Sequence, residues 1–157
     1  MAFDTQQQRR IMGHFATGVS VVTTRHGEQM YGMTANAVAS LSLDPPQVLV
    51  AVDRRAQMHE ALLMARCFAV NVLAEEQEEL SRRFAMRGPK EWGDLKYSTA
   101  VTGAPIFEGS LAFVDCQLAE VLPGGDHHIF IGEIVAGDAV GGRPLIYYGG
   151  KYVRLPE

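Results

Sequence analysis

Two short turns constrain this chain more than any other feature. "HGEQ" (His26 to Gln29) separates "GVSVVTTR" from the run Met30 to Ser42, and "PGGD" separates "LAFVDCQLAEVL" from "HHIFIGEIVAG". The flanking runs are rich in β-branched residues, among them Val19, Val21, Val22, Thr23 and Thr24, which favour strands. Strands joined by turns this tight run antiparallel. "LDPPQ" breaks the chain, because two prolines cannot sit in a central strand, and Gln47 to Asp53 follows as another strand. "CFAVNVL", "PLIYY" and "KYVRL" complete a count of about seven strands.

Three helices accompany them. Asp4 or Thr5 caps the first, with Ile11 and Phe15 on its buried face and Gly18 ending it. "AQMHEALLMAR" carries Met58, Leu62 and Ala65 at helical spacing. "EEQEELSRRFAM" is acidic at its start and basic at its end, as the helix dipole prefers, with Leu80 and Phe84 facing inward. Only Gln47 to Met86 alternates strand and helix, so a doubly wound parallel fold is not supported. The expectation is a mainly β fold with flanking helices, its antiparallel strands curling into a barrel that closes and so removes exposed edges.

The 157 residues suit one domain spanning 1–157. Hydrophobic residues make up 47% and charged residues 20%, enough apolar mass for a core without metal or disulfide staples. A net charge of -4 argues against nucleic acid or an anionic membrane as partner. No apolar run approaches the roughly 20 residues of a membrane span, and the first residues lack a signal-peptide pattern. Cys67 and Cys116 each sit in an apolar run, as buried free thiols of a cytoplasmic protein do.

Among the five histidines, only His127 and His128 are adjacent, and strand neighbours point to opposite faces. No metal site is expected from their spacing. No nucleophile elbow, dinucleotide fingerprint or phosphate loop appears. The segment from Gly32 to Leu43 is free of charge yet carries Thr34, Asn36, Ser40 and Ser42. It is either a strand with one wet face or the lining of a flat, uncharged ligand. Arg54 and Arg55 follow a strand and precede a helix, where backbone N–H groups can hold an anion. Arg82, Arg83 and Arg87 form a second basic group, read either as a solvated helix face or as a phosphate seat. In "GGDHHIF", Asp126 can fix the His127 imidazole, though a strand-end histidine is the plainer reading. Tyr147, Tyr148 and Tyr152 read as core or interface aromatics. Arg87 to Gly109 is a long irregular segment of the kind that is functional or mobile.

Taken together, "FATGVSVVTT", "GMTANAVASLSLDPPQVLVAVD", "FAVNVLAEEQEELSRRFA", "GDHHIFIGEIV" and "PLIYYGGKYVRL" resemble the flavin reductase-like, FMN-binding split-barrel proteins. These include the small reductase components of two-component flavin monooxygenases. The resemblance runs from Phe15 to Leu155 and implies an antiparallel split β-barrel. It implies hydride transfer from NADH or NADPH to FMN or FAD, a homodimer, and a partner monooxygenase taking reduced flavin. It implies that Thr34, Ala35, Asn36, Ser40 and Ser42 line the flavin ring, with Asn71 beside it. It puts Asp53, Arg54, Arg55, Ala56 and Gln57 at the phosphate, Ser81, Arg82, Arg83 and Phe84 on a helix approaching the cofactor, and His127 near the nicotinamide as the catalytic residue. Many relatives carry Ser or Thr in the segment that reads "RRAQMHE" here; Ala56 has no hydroxyl, so phosphate contact falls to backbone amides and arginines. Split-barrel relatives that act on other substrates, and a flavin-binding electron-transfer protein, are the alternatives.

Overall fold

The computed structural model describes residues 2–157. The chain begins with helix α1 (Thr5–Met12), capped by the Asp4 carboxylate on the Gln6 N–H at 2.9 Å. It continues through β1 (Thr17–Gly18), β2 (Ser20–His26), β3 (Gln29–Ala35), β4 (Val38–Leu43) and β5 (Pro46–Asp53). Next come α2 (Gln57–Ala65), β6 (Cys67–Val72), a 3₁₀ turn (Glu75–Gln77) and α3 (Glu78–Ala85). Then follow β7 (Tyr97–Ser98), β8 (Ile106–Phe107), β9 (Ala112–Gly124), β10 (His127–Ala139), β11 (Ile146–Tyr148) and β12 (Lys151–Val153). No helix among the described residues is long and apolar enough to cross a membrane.

The principal sheet has seven antiparallel strands in the order β3-β2-β6-β9-β10-β5-β4. Both turns read from the sequence are hairpins, β2–β3 and β9–β10. The run Met30 to Ser42 is not one strand. It breaks at Asn36–Ala37 into β3 and β4, which lie at opposite edges of the sheet. Two residues between Ala35 and Val38 can span only about 11 Å, so the sheet must curl until its edges nearly meet. No ladder joins β3 to β4 among the described residues. The barrel is therefore split rather than closed, because the strands part where the chain passes from one to the other. A second small sheet, β1-β11-β12, and the pair β7-β8 flank it.

Strand β2 is buried on both faces from Ser20 to Thr24, which is why its sequence runs on without polar alternation. Val22 belongs to the main core with Val50, Val52, Met58, Leu62, Phe68, Val70 and Phe130. Val21 faces a second core with Leu73, Phe84, Phe107 and Leu145, flanked by Trp92. Strand β5 alternates instead, with Val48, Val50 and Val52 inward. Helix α1 buries none of its residues, and Ile11 and Phe15 are exposed. Phe15 lies beyond the helix, which ends at Gly13 rather than Gly18, so the expected i, i+4 apolar pair does not form.

The irregular stretch after α3 is tied down. Asp115, fully buried on β9, accepts hydrogen bonds from the Val101 N–H (2.8 Å), the Thr102 N–H (2.9 Å) and the Thr102 hydroxyl (2.5 Å). Cys67 and Cys116 are buried and free, and burial pushes the Cys116 thiol up to about 12. Asp115→Ala removes the buried acceptor of three part-buried hydrogen bonds and should lower unfolding stability by roughly 1–3 kcal/mol. Urea unfolding checks this, and an unchanged midpoint would show that water replaces the carboxylate without cost.

Candidate functional site

A cavity of about 750 Å³ opens beside the split in the barrel, within the usual size of a small-molecule site. Strand β3 and the link after it supply one wall, from Tyr31 to Asn36. The β5–α2 junction supplies Asp53 and Arg55 to Met58, and the end of α3 supplies Phe84 to Lys90. Tyr147 and Tyr152 come from the small C-terminal sheet.

Each wall has a local cause. Asp53 ends β5 and folds the turn back: its carboxylate accepts from the Arg55 N–H (2.8 Å), Nε (3.2 Å) and Nη2 (3.0 Å). This Arg55 contact holds the Asp53 carboxyl well below the usual carboxylate range. Ala56 occupies the N-cap of α2 with no side-chain hydrogen bond. The first-turn N–H groups of Gln57 and Met58 are left without a capping acceptor and carry the positive end of the helix dipole.

A chain of hydroxyls ties three elements together. Thr34 donates from Oγ1 to the Ser81 carbonyl at 2.6 Å, and the Ser81 hydroxyl meets the Tyr152 hydroxyl at 2.7 Å. Arg82 lies over the Tyr152 ring, 4.8 Å from its centroid. Phe84 packs on Trp92 and Phe107 with centroids 5.0 and 5.4 Å away. Gly32 admits Phe84: a Cβ there would stand 2.5 Å from the Phe84 Cε1.

The residues singled out from sequence divide. Thr34, Ala35, Asn36, Asp53, Arg55, Ala56, Gln57 and Phe84 line the cavity together. Ser40 and Ser42 lie on β4, outside the lining. Arg54 is exposed, and its N–H bonds to the Asp126 carbonyl at 3.0 Å. Asn71 is fully buried: Nδ2 reaches the Val21 carbonyl at 3.1 Å and Oδ1 accepts from the Phe107 N–H at 2.9 Å. Ser81 lies behind Thr34 and Tyr152. Arg82 pairs with Glu78 at 3.0 Å, and Arg83 pairs with both oxygens of Asp94 at 2.8 and 2.9 Å. Arg83 lines a separate hollow with Glu79, Asp94 and Lys96.

His127 stands beside Asp126, with Nδ1 2.7 Å from the carboxylate. Its hydrogen bond lowers the pKa of Asp126. In the sheet, His127 registers against Asp53. One polar atom each of Asp53, Asp126 and His127 falls within 4.8 Å of the others, a grouping that residues so far apart in sequence did not reveal. Arg55 already supplies the cation for Asp53 there. His128 points to the other side and meets His59 of α2, Nδ1 to Nε2, at 2.6 Å.

Sequence reasoning passed over Tyr31, Met33, Met58 and Lys90 as lining residues, and of the second basic group it singled out, Arg82, Arg83 and Arg87, only Arg87 lines the cavity. It left Tyr147 and Tyr152 as structural aromatics. The one available signal was the irregular composition from Arg87 onward.

A curled antiparallel sheet with a cavity beside the gap between its edges is the architecture of a split barrel. The chain belongs to the family described as "Flavin reductase like domain", which matches residues 12–156. The Mycobacterium tuberculosis protein named "Flavin-dependent monooxygenase, reductase subunit HsaB" is 37% identical over 158 residues, covering 98% of this chain and 84% of that protein. "FMN reductase (NADH) SmoA" of Agrobacterium fabrum is 39% identical over 147 residues, covering 94% of this chain and 84% of that one. The structure of a Streptomyces globisporus NADH:FAD oxidoreductase in complex with NAD and FAD fragments superposes with a TM-score of 0.91 at 36% identity. It covers 98% of this chain and 93% of its own.

Because Phe84 is wedged between Gly32 and two aromatic rings, Gly32→Ala should displace it. The expected cost is about 1–3 kcal/mol, as for other overpacked sites, with a red shift of emission from Trp92, the only tryptophan. Unchanged melting and fluorescence would mean that the ring yields freely.

Proposed function

We propose that this chain is an NAD(P)H:flavin oxidoreductase that reduces FMN or FAD and supplies the reduced flavin to a partner monooxygenase. In this reading it acts as a single domain over residues 1–157, as a homodimer, in the cytoplasm. The observation that carries it is the cavity. One wall is uncharged from Tyr31 to Asn36, tyrosines stand at another, and an uncapped helix start opens onto it. The names of the relatives give the chemistry that such a cavity serves.

When bound there, a flavin supplies N5 as acceptor for a hydride from nicotinamide C4. The chain's own contribution is position and dryness, since the cofactor carries the hard chemistry. Thr34, Ala35 and Asn36, which line the cavity, would hold the ring edge through their backbone. Thr34 keeps its hydroxyl on Ser81, so the Thr34 side chain holds the wall in place rather than competing with the ligand. Phe84, Met58 and Val19 exclude water from the cavity floor. The Gln57 and Met58 N–H groups and Arg55 hold a phosphate, and Asp53 keeps the Arg55 guanidinium fixed in orientation. No hydroxyl at Ala56 is needed for this. His127 stands outside the cavity lining, held by Asp126 and grouped with Asp53, which does line it; from there it orients the nicotinamide and can move a proton at Nε2.

The first test follows absorbance at 340 nm with NADH or NADPH, with and without added FMN or FAD. Oxidation that saturates with added flavin is expected. No oxidation in any combination would end this reading. His127→Ala should slow turnover at least about tenfold, toward the low end of acid–base contributions, with flavin affinity retained. Loss of flavin binding in that variant would instead make His127 a structural part of the flavin site.

A further inference from the structure

Of the basic side chains that line the cavity, Arg55, Arg87 and Lys90, one has a carboxylate partner, and the two arginines of α3 outside the lining are paired as well. Arg55 is held by Asp53, Arg82 by Glu78 and Arg83 by Asp94. Arg87 and Lys90 line the cavity, yet among the described residues neither makes a salt bridge. Both lie on the short extension beyond α3. Met86 leaves the helix with extended backbone (ψ 151), and Gly88 takes φ +91, a conformation that side chains rarely adopt. Pro89 follows with its own φ restricted. The turn directs the chain along the cavity rather than onward as helix. Lys90 is half-buried, and among the described residues its ammonium donates only to the Gly88 carbonyl. Burial lowers the pKa of Lys90, as for an ammonium that has lost water and gained no counter-ion.

The start of α2 is a separate anion seat, built from N–H groups and an arginine that Asp53 already neutralises. A single phosphate there leaves Arg87 and Lys90 without a counter-ion. We propose that Arg87 and Lys90 form a second anion seat in the same cavity, and that it takes the diphosphate of a dinucleotide, the group shared by FAD and NAD(P)H. The proposal rests on the reading above for the class of ligand and deepens it. It makes the extension beyond α3 the element that distinguishes a dinucleotide from the mononucleotide FMN.

The test is calorimetric titration of the parent and of Arg87→Gln/Lys90→Gln with ADP, FMN, FAD and NADH, each without turnover. ADP carries the diphosphate with neither flavin nor nicotinamide. Its dissociation constant should rise about tenfold in the variant, as for charge-assisted contacts at a partly exposed site. That of FMN should stay within about twofold. A parallel loss for FAD or for NADH identifies which dinucleotide uses the seat. The melting temperature verifies folding, and the single variants, each expected to weaken ADP about threefold, serve if the double variant does not fold. Unchanged ADP affinity, no measurable ADP binding by the parent, or an equal loss for FMN would overturn the second seat. A parent that binds ADP but no flavin would end the flavin reading and leave the seat standing. Flavin binding with dinucleotides indifferent to the substitutions would do the reverse.

Discussion

The two-residue link Asn36–Ala37 governs this structure. It joins the strands at the two edges of a seven-stranded sheet, so the sheet can exist only as a curl. Twist favours that curl in any antiparallel sheet, but here covalent connection enforces it. Helix α2 then packs within the curl against β2, β3, β5 and β6, carrying Met58 and Leu62 into the core. The cavity lies where β3 leaves the sheet and α2 begins. Fold and site thus have one origin: the gap that keeps the barrel from closing also leaves room for a ligand.

Charge is distributed around that gap by pairing rather than by abundance. The chain is acidic overall, yet basic residues cluster near the cavity in sequence. Tertiary contacts sort them. Asp94, brought up by the segment after α3, takes both ends of Arg83 and itself sits below the usual carboxylate range because of that guanidinium. Asp53 does the same for Arg55. A guanidinium locked to a carboxylate has little charge left to offer at a distance, though it retains direction. Among the described residues, Arg87 and Lys90 are the cavity-lining cations that no carboxylate has taken.

The aromatic cluster shows how far a single small residue reaches. Gly32 lies on the uncharged wall, and its missing side chain is filled by Phe84. Phe84 rests on Trp92, which stacks on Phe107 at 5.7 Å. The irregular segment after α3 is thereby packed into the second core rather than left over the site. Asp115 anchors its far end. The irregular composition of this segment suggested a functional or mobile stretch. The structure holds the segment through a buried carboxylate and a tryptophan, and only Met86 to Lys90 faces the cavity.

Local chemistry made much of this legible. Short turns between β-branched runs specified hairpins, because loop length leaves no other pairing. The Asp4 cap and the apolar spacing of α2 and α3 read correctly, since capping and periodicity are local. The family resemblance carried the fold class, and Thr34, Ala35, Asn36, Asp53, Arg55, Ala56, Gln57 and Phe84 do gather at one cavity. The sequence could not show that Ile11 and Phe15 would stay exposed, since burial depends on what packs opposite. Nor could it show that β3 and β4 separate, that Asn71 turns all its hydrogen bonds inward, or which arginine finds which aspartate. Those outcomes join residues tens of positions apart, and they are decided by contact geometry in three dimensions, which no local propensity encodes.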